Sequence, residues 1–244
     1  MDSDPGDLRE RIDLATGRLL AIATTLTDSQ ARESSLLPGW SRGHVLTHIA
    51  RNADGLRNLL IWARTGVQTP MYPSRQARDE AIGAGSGRPA SELAADLRAS
   101  ADRFLAEAES LSGSAWQVSV GGLRGPKHPA WVALWKRLSE VEIHHVDLDA
   151  GYQPGDWPDP FVTDCLEVIT DVFTDAGQAP PGLLSDTGTG RTYQIGPAGA
   201  DGAAEPQVSV AGPGYQLLAW LTGRGTGGHL TAEPGGRLPV LPAW

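Results

Sequence analysis

The chain has 244 residues, 40% hydrophobic and 20% charged, with 29 acidic against 20 basic side chains and a net charge of −9. That is a globular composition, long enough for one large domain or two modest ones, and not a disordered chain. The acidic balance argues against a nucleic-acid backbone or an anionic membrane as partner, because no local basic patch offsets it: lysine occurs only at Lys127 and Lys136, and the arginines are scattered.

The amino terminus, MDSDPGDLRERIDLATG, lacks the charged-then-apolar layout of a signal peptide. No apolar run approaches the roughly 18 residues that span a bilayer, so the cytoplasm is the expected location. Residues Leu8 to Leu26 place apolar side chains at Leu8, Ile12, Ala15, Leu19, Ile22 and Leu26, a helical spacing. A second helix is predicted from His44 to Thr65, with Ser41 as its N-cap and Gly66 as its stop. Thr69 to Gly87 reads as turn-rich. A third helix follows from about Ala90 to Leu111, and a fourth from about Pro129 to Ala150. Four helices with two short links and one long one predict a helix bundle, residues 1–152.

Gly151 to Pro160 reads as a linker of prolines and glycines. Phe161 to Ala176 is a predicted helix that carries the lone Cys165, a small apolar residue in that setting. One cysteine excludes an internal disulfide and a Cys-cluster zinc site. Short β-branched or aromatic runs at Gly182–Ser185, Arg191–Ile195 and Gln207–Ala211 predict strands, and Tyr215 to Leu221 one more helix ending at Gly223. Strands mixed with helices predict a small α/β domain over residues 160–244, making the whole chain α+β.

Chemistry concentrates on two of the helices. His48 lies at the edge of the stripe formed by Val45, Ile49, Leu56 and Leu60. On the fourth helix Glu140 and His144 are four apart and share a face, with Arg137 and Asp147 near it. A carboxylate and an imidazole one turn apart, completed by a histidine from a facing helix, make a three-ligand metal site with an open position. Glu142 and His145 are a rival pair, nearer the apolar face of Trp131, Leu134, Trp135, Leu138 and Val141. A solvated acidic helix with incidental histidines is the alternative to both. His44 stands four before His48 without further support, and His128 and His229 fall in Gly/Pro-rich surface segments. Arg224 either caps the last helix or clamps a carboxylate.

Three stretches carry a family resemblance. Gly39-Trp-Ser-Arg-Gly-His-Val-Leu-Thr-His48 and the following Ala53 to Ser86 resemble the first metal segment of the mycothiol-dependent maleylpyruvate isomerases. The run Arg137-Leu-Ser-Glu140-Val-Glu-Ile-His144-His-Val-Asp147 is similar to their second, and Leu221-Thr-Gly-Arg224-Gly with Pro242-Ala-Trp244 to their carboxyl half. The loop from Ser114 to Pro129 departs from the family pattern. The resemblance implies an N-terminal DinB-like four-helix bundle and a small α/β C-terminal domain. It implies zinc, or another divalent metal, on His48, Glu140 and His144, and an activity that needs Arg224. The implied reaction turns maleylpyruvate into fumarylpyruvate, a step in aromatic compound degradation. A thiolate adds to the electron-poor alkene, the bond rotates, and the thiolate leaves. The resemblance implies mycothiol as the source of that thiolate, and Cys165, far along the chain from the ligands, fits a borrowed thiol better than an internal one. Arg78 and Tyr72, in the most distinctive stretch, are weaker candidates for substrate or thiol contact. The expected partners are small molecules, with no nucleic acid or membrane, and the protein a monomer or weak homo-oligomer. Two alternatives remain: a mycothiol S-transferase for other electrophiles, and a non-catalytic metal-binding module.

Overall fold

A computed structural model describes residues 4–121, 126–175, 177, 179–196 and 207–241. The chain divides into two compact units, Asp2–Tyr152 and Gln153–Trp244. The first is helical and the second a small α/β unit, so the fold class is α+β.

The first unit is built on α1 (Pro5–Ala23), α3 (Arg42–Thr65), α5 (Ala90–Ser110) and α6 (Val132–Asp147). Their apolar stripes meet in one core that includes Leu8, Ile12 and Leu19 of α1, Val45, Ile49 and Leu56 of α3, Leu97 and Phe104 of α5, and Leu134, Leu138 and Val141 of α6. Helix α1 stops before Leu26, short of the predicted end. The hydroxyls of Thr24 and Thr25 donate to the carbonyls of Leu20 and Ile22, taking up groups at the end of the helix. Helix α3 begins and ends where its caps predict: Ser41 Oγ accepts from the His44 N–H, and Gly66 adopts φ 74°.

Two short helices are additions to the sequence reading. Helix α2 (Asp28–Arg32) is nucleated by a capping box between Thr27 and Gln30. Helix α4 (Arg75–Ser86) corrects the turn-rich reading of Thr69 to Gly87. Ser74 caps it by accepting from the Ala77 N–H at 3.0 Å. Its Gly85 serves packing rather than turning, since a Cβ there would lie 2.6 Å from Thr47 Cγ2 on α3. The departing loop contributes a small hairpin of β1 (Ser119–Gly121) and β2 (Lys127–Pro129), antiparallel with Val120 opposite His128.

In the second unit α7 (Asp159–Asp175) buries Phe161, Cys165, Leu166, Ile169 and Phe173; Ala176, its predicted last residue, lies outside the described residues. The sheet runs β4 (Thr192–Ile195), β3 (Gly182–Asp186), β5 (Val208–Gly212), β6 (Thr231–Glu233), in that spatial order. Strands β3 and β5 are parallel, and the two outer pairings are antiparallel. Helix α8 (Gly214–Leu221) connects β5 towards β6. Pro242, Ala243 and Trp244 lie outside the described residues. Among the described residues no helix is long and apolar enough to cross a membrane.

Candidate metal centre

The site lies on the seam between α3 and α6. The cap of α3 uses His44: its Nδ1 accepts from the Ser41 N–H at 3.2 Å, so this histidine belongs to the helix terminus. One turn on, His48 is 4% exposed and has the edge of Trp40 against it at 5.5 Å between ring centroids. Across the seam, Glu140 and His144 project from α6 on one face. His48 Nε2 is 3.0 Å from Glu140 Oε2 and 3.0 Å from His144 Nε2, and His144 Nε2 is 3.3 Å from the same carboxylate oxygen. One ligand atom from each lies within 4.8 Å of the others, making the three a group able to hold a metal ion.

The donor set passes a test of fit. Asp147, 1% exposed, sits 2.7 Å from His144 Nδ1, which therefore carries the proton and leaves the Nε2 lone pair facing His48 and Glu140. Two imidazole nitrogens at 3.0 Å with a carboxylate beside both can share one positive charge between them, a proton or a metal ion. Two His nitrogens and one carboxylate oxygen are the ligands of an open zinc site. The electrostatics agree. Burial would raise the Glu140 carboxyl, but its interactions with the His144 and His48 imidazoles outweigh it and hold the group well below the usual carboxylate range. Burial lowers the His48 pKa, with Glu140 opposing. Burial also disfavours charged His144, but Asp147 and Glu140 more than offset that and raise it.

Tyr72 and Arg78 both stand beside this cluster. The Tyr72 ring rests on α3 at Gly55, where a Cβ would come within 3.1 Å of it. Asn58 holds the same loop by donating to the carbonyls of Pro70 and Met71. Burial pushes the Tyr72 phenol up to about 12, against the pull of Arg78. Helix α4 brings Arg78 in, with Nη2 3.3 Å from His48 Nδ1 and Nη1 2.7 Å from Asp79. Arg137, one turn before Glu140, is fully buried and donates from Nη1 to the Ile49 carbonyl at 2.7 Å and to Asn52 at 3.3 Å. That pins α6 to α3 beside His48, and burial pushes the guanidinium down to about 10.

The rival pair is used elsewhere. Glu142, 1% exposed, accepts from Arg18 of α1 and from the Tyr152 hydroxyl, and the His145 ring stacks on Tyr152 at 3.8 Å. In the second unit, half-buried Arg224 follows α8 and donates to the Thr222 carbonyl at 2.6 Å. Cys165 is 1% exposed, and burial pushes its thiol up, away from the reactive thiolate. His229 is exposed as expected. His128 is half-buried and takes Lys136 Nζ at 2.8 Å on its Nε2. Sequence reasoning missed this pair, although Lys136 precedes Glu140 by one helical turn.

A model of the Mycothiol maleylpyruvate isomerase N-terminal domain matches residues 12–149, and one of the MDMPI C-terminal domain matches residues 156–243. Two solved structures are similar over 100% of this chain and 98% of theirs, at 31% identity and a TM-score of 0.89. One is a mycothiol-dependent maleylpyruvate isomerase and the other a histidine-to-alanine mutant of such an enzyme. No curated protein sequence matches this chain.

Proposed function

Because the chain belongs to the mycothiol maleylpyruvate isomerase family, we propose that it converts maleylpyruvate to fumarylpyruvate with mycothiol as the thiol. The observation that carries this reading is the convergence of His48, Glu140 and His144 in a chain whose two halves both match that family.

His48, Glu140 and His144 would hold a divalent metal such as zinc. When bound, such an ion supplies the positive charge that acidifies a thiol or polarises a substrate oxygen. The chain's own residues do the rest. Asp147 keeps the His144 proton on Nδ1 and the ring aimed inward. Arg137 fixes the spacing of α3 and α6 through the Ile49 carbonyl. Arg78 and Tyr72 offer donors beside the cluster for the thiol or the substrate. Arg224 holds a substrate carboxylate, or the enolate oxygen that develops when a thiolate adds to the alkene. The nucleophile is borrowed, because the one cysteine is buried in α7.

The test is optical turnover of maleylpyruvate by the zinc-loaded protein, with and without mycothiol. Conversion to fumarylpyruvate only with the thiol supports the reading. No turnover, with about one zinc bound per chain, overturns the substrate assignment. Arg224→Lys is expected to lose most of the rate at unchanged metal content.

A further inference from the structure

A dianion approaching a chain of net charge −9 meets long-range repulsion, so cations near the site must supply the attraction. The other cations beside the cluster have carboxylate or carbonyl partners of their own. Arg137 is fully buried and donates to α3, and Arg78 pairs with Asp79 while facing His48. Lys136 differs. It is exposed, and among the described residues no carboxylate forms an ion pair with it. Its hydrogen-bond partner is a neutral imidazole. His128 Nδ1 lies 3.1 Å from the Pro129 carbonyl, which only accepts, so Nδ1 carries the proton and Nε2 accepts from the ammonium at 2.8 Å. That contact orients the lysine, and among the described residues no other hydrogen-bond partner takes up its remaining N–H donors. Lys136 also shares the Glu140 face of α6, four residues earlier, about 6 Å along the axis.

We propose that Lys136, held in place by His128, binds a carboxylate of the substrate and makes the site selective for short dicarboxylates over monocarboxylates. The inference rests on the isomerase reading for the dianionic substrate, but the cation and its holder stand on geometry alone. Glu140 and Lys136 are close enough to interact electrostatically, since the carboxylate opposes the lowering of the lysine pKa by the surrounding protein. The β2 strand, within the segment that departs from the family pattern, delivers His128 and thereby sets the position of Lys136.

The probe is maleate, an inert dicarboxylate, titrated calorimetrically into the zinc-loaded and the metal-free full chain, with crotonate as the monocarboxylate control. Lys136→Met is expected to weaken maleate binding about tenfold or more, leave crotonate binding and zinc content unchanged, and raise KM for maleylpyruvate more than it lowers kcat. Lys136→Arg should recover most of the loss, and His128→Leu should show a smaller loss in the same direction. If Lys136→Met binds maleate as the wild type does, or the wild type binds no maleate, the inference is overturned. Maleate binding that depends on Lys136 in a protein without isomerase turnover supports the anion site and removes the isomerase reading instead.

Discussion

Helix α6 carries two carboxylate–imidazole pairs, Glu140 with His144 and Glu142 with His145, on faces that lead to different chemistry. The Glu140 face meets His48 of α3, and the Glu142 face meets Arg18 of α1 and Tyr152. Both carboxylates are pushed upward by burial. Two imidazoles overcome that push at Glu140 and lower it, whereas Tyr152 and Arg18 do not overcome it at Glu142, which ends raised. The histidines diverge in the same way. His144 is oriented by Asp147 with its Nε2 beside two further donors, while His145 lies flat on an aromatic ring. A carboxylate and an imidazole on one helix gain the makings of a metal site when the facing helix adds a third donor and an orienting carboxylate fixes the ring, as at Glu140 and His144.

Variants on the two faces sharpen the contrast. His48→Ala removes the ligand from α3 and is expected to reduce thiol-dependent turnover to background, with the helical circular dichroism intact; retained turnover would break the comparison. Glu142→Ala acts on the other face. It strips a partner from the buried Tyr152 hydroxyl and from Arg18, and should cost about 2–3 kcal/mol in urea unfolding, with zinc stoichiometry unchanged. Asp147→Asn keeps the shape but loses the charge behind His144, so zinc affinity should fall at least about tenfold in a chelator competition. The mildest perturbation is a change of pH, which alters no side chain. His48 is lowered and already neutral near neutrality, whereas His144 is raised and takes up a proton first as the pH falls. Zinc affinity should therefore decline by about tenfold per pH unit below the raised His144 value, with one proton released per ion bound. Calorimetry in buffers of different ionisation enthalpy measures that proton, and Glu142→Ala should leave the slope unchanged.

The sequence carried part of this contrast. Ser41 and Gly66 mark the ends of α3 because caps are local chemistry, and the buried stripe of α6 is legible from Leu134, Leu138 and Val141. Spacing alone left the two pairs of α6 unresolved, because the deciding partners, His48 and Arg18, lie far away in sequence. Family resemblance pointed to Glu140 and His144, and the facing helices supply the physical reason. Helix α4 escaped notice because Gly83 and Gly85 read as turn signals, although Gly85 is there to admit Thr47 of α3. The Lys136–His128 contact was hidden because it joins a hairpin strand to a helix. In the second unit three short strands were legible as segments, but the parallel pairing of β3 with β5 is non-local, and β6 is too short to announce itself.

The most direct measurement is the zinc content of Glu140→Ala and Glu142→Ala, each loaded with zinc, desalted and assayed by elemental mass spectrometry beside the wild type. A site on His48, Glu140 and His144 predicts about one zinc per chain in the wild type and in Glu142→Ala, and almost none in Glu140→Ala. Zinc retained by Glu140→Ala and lost from Glu142→Ala would place the metal on the opposite face of α6 and contradict it.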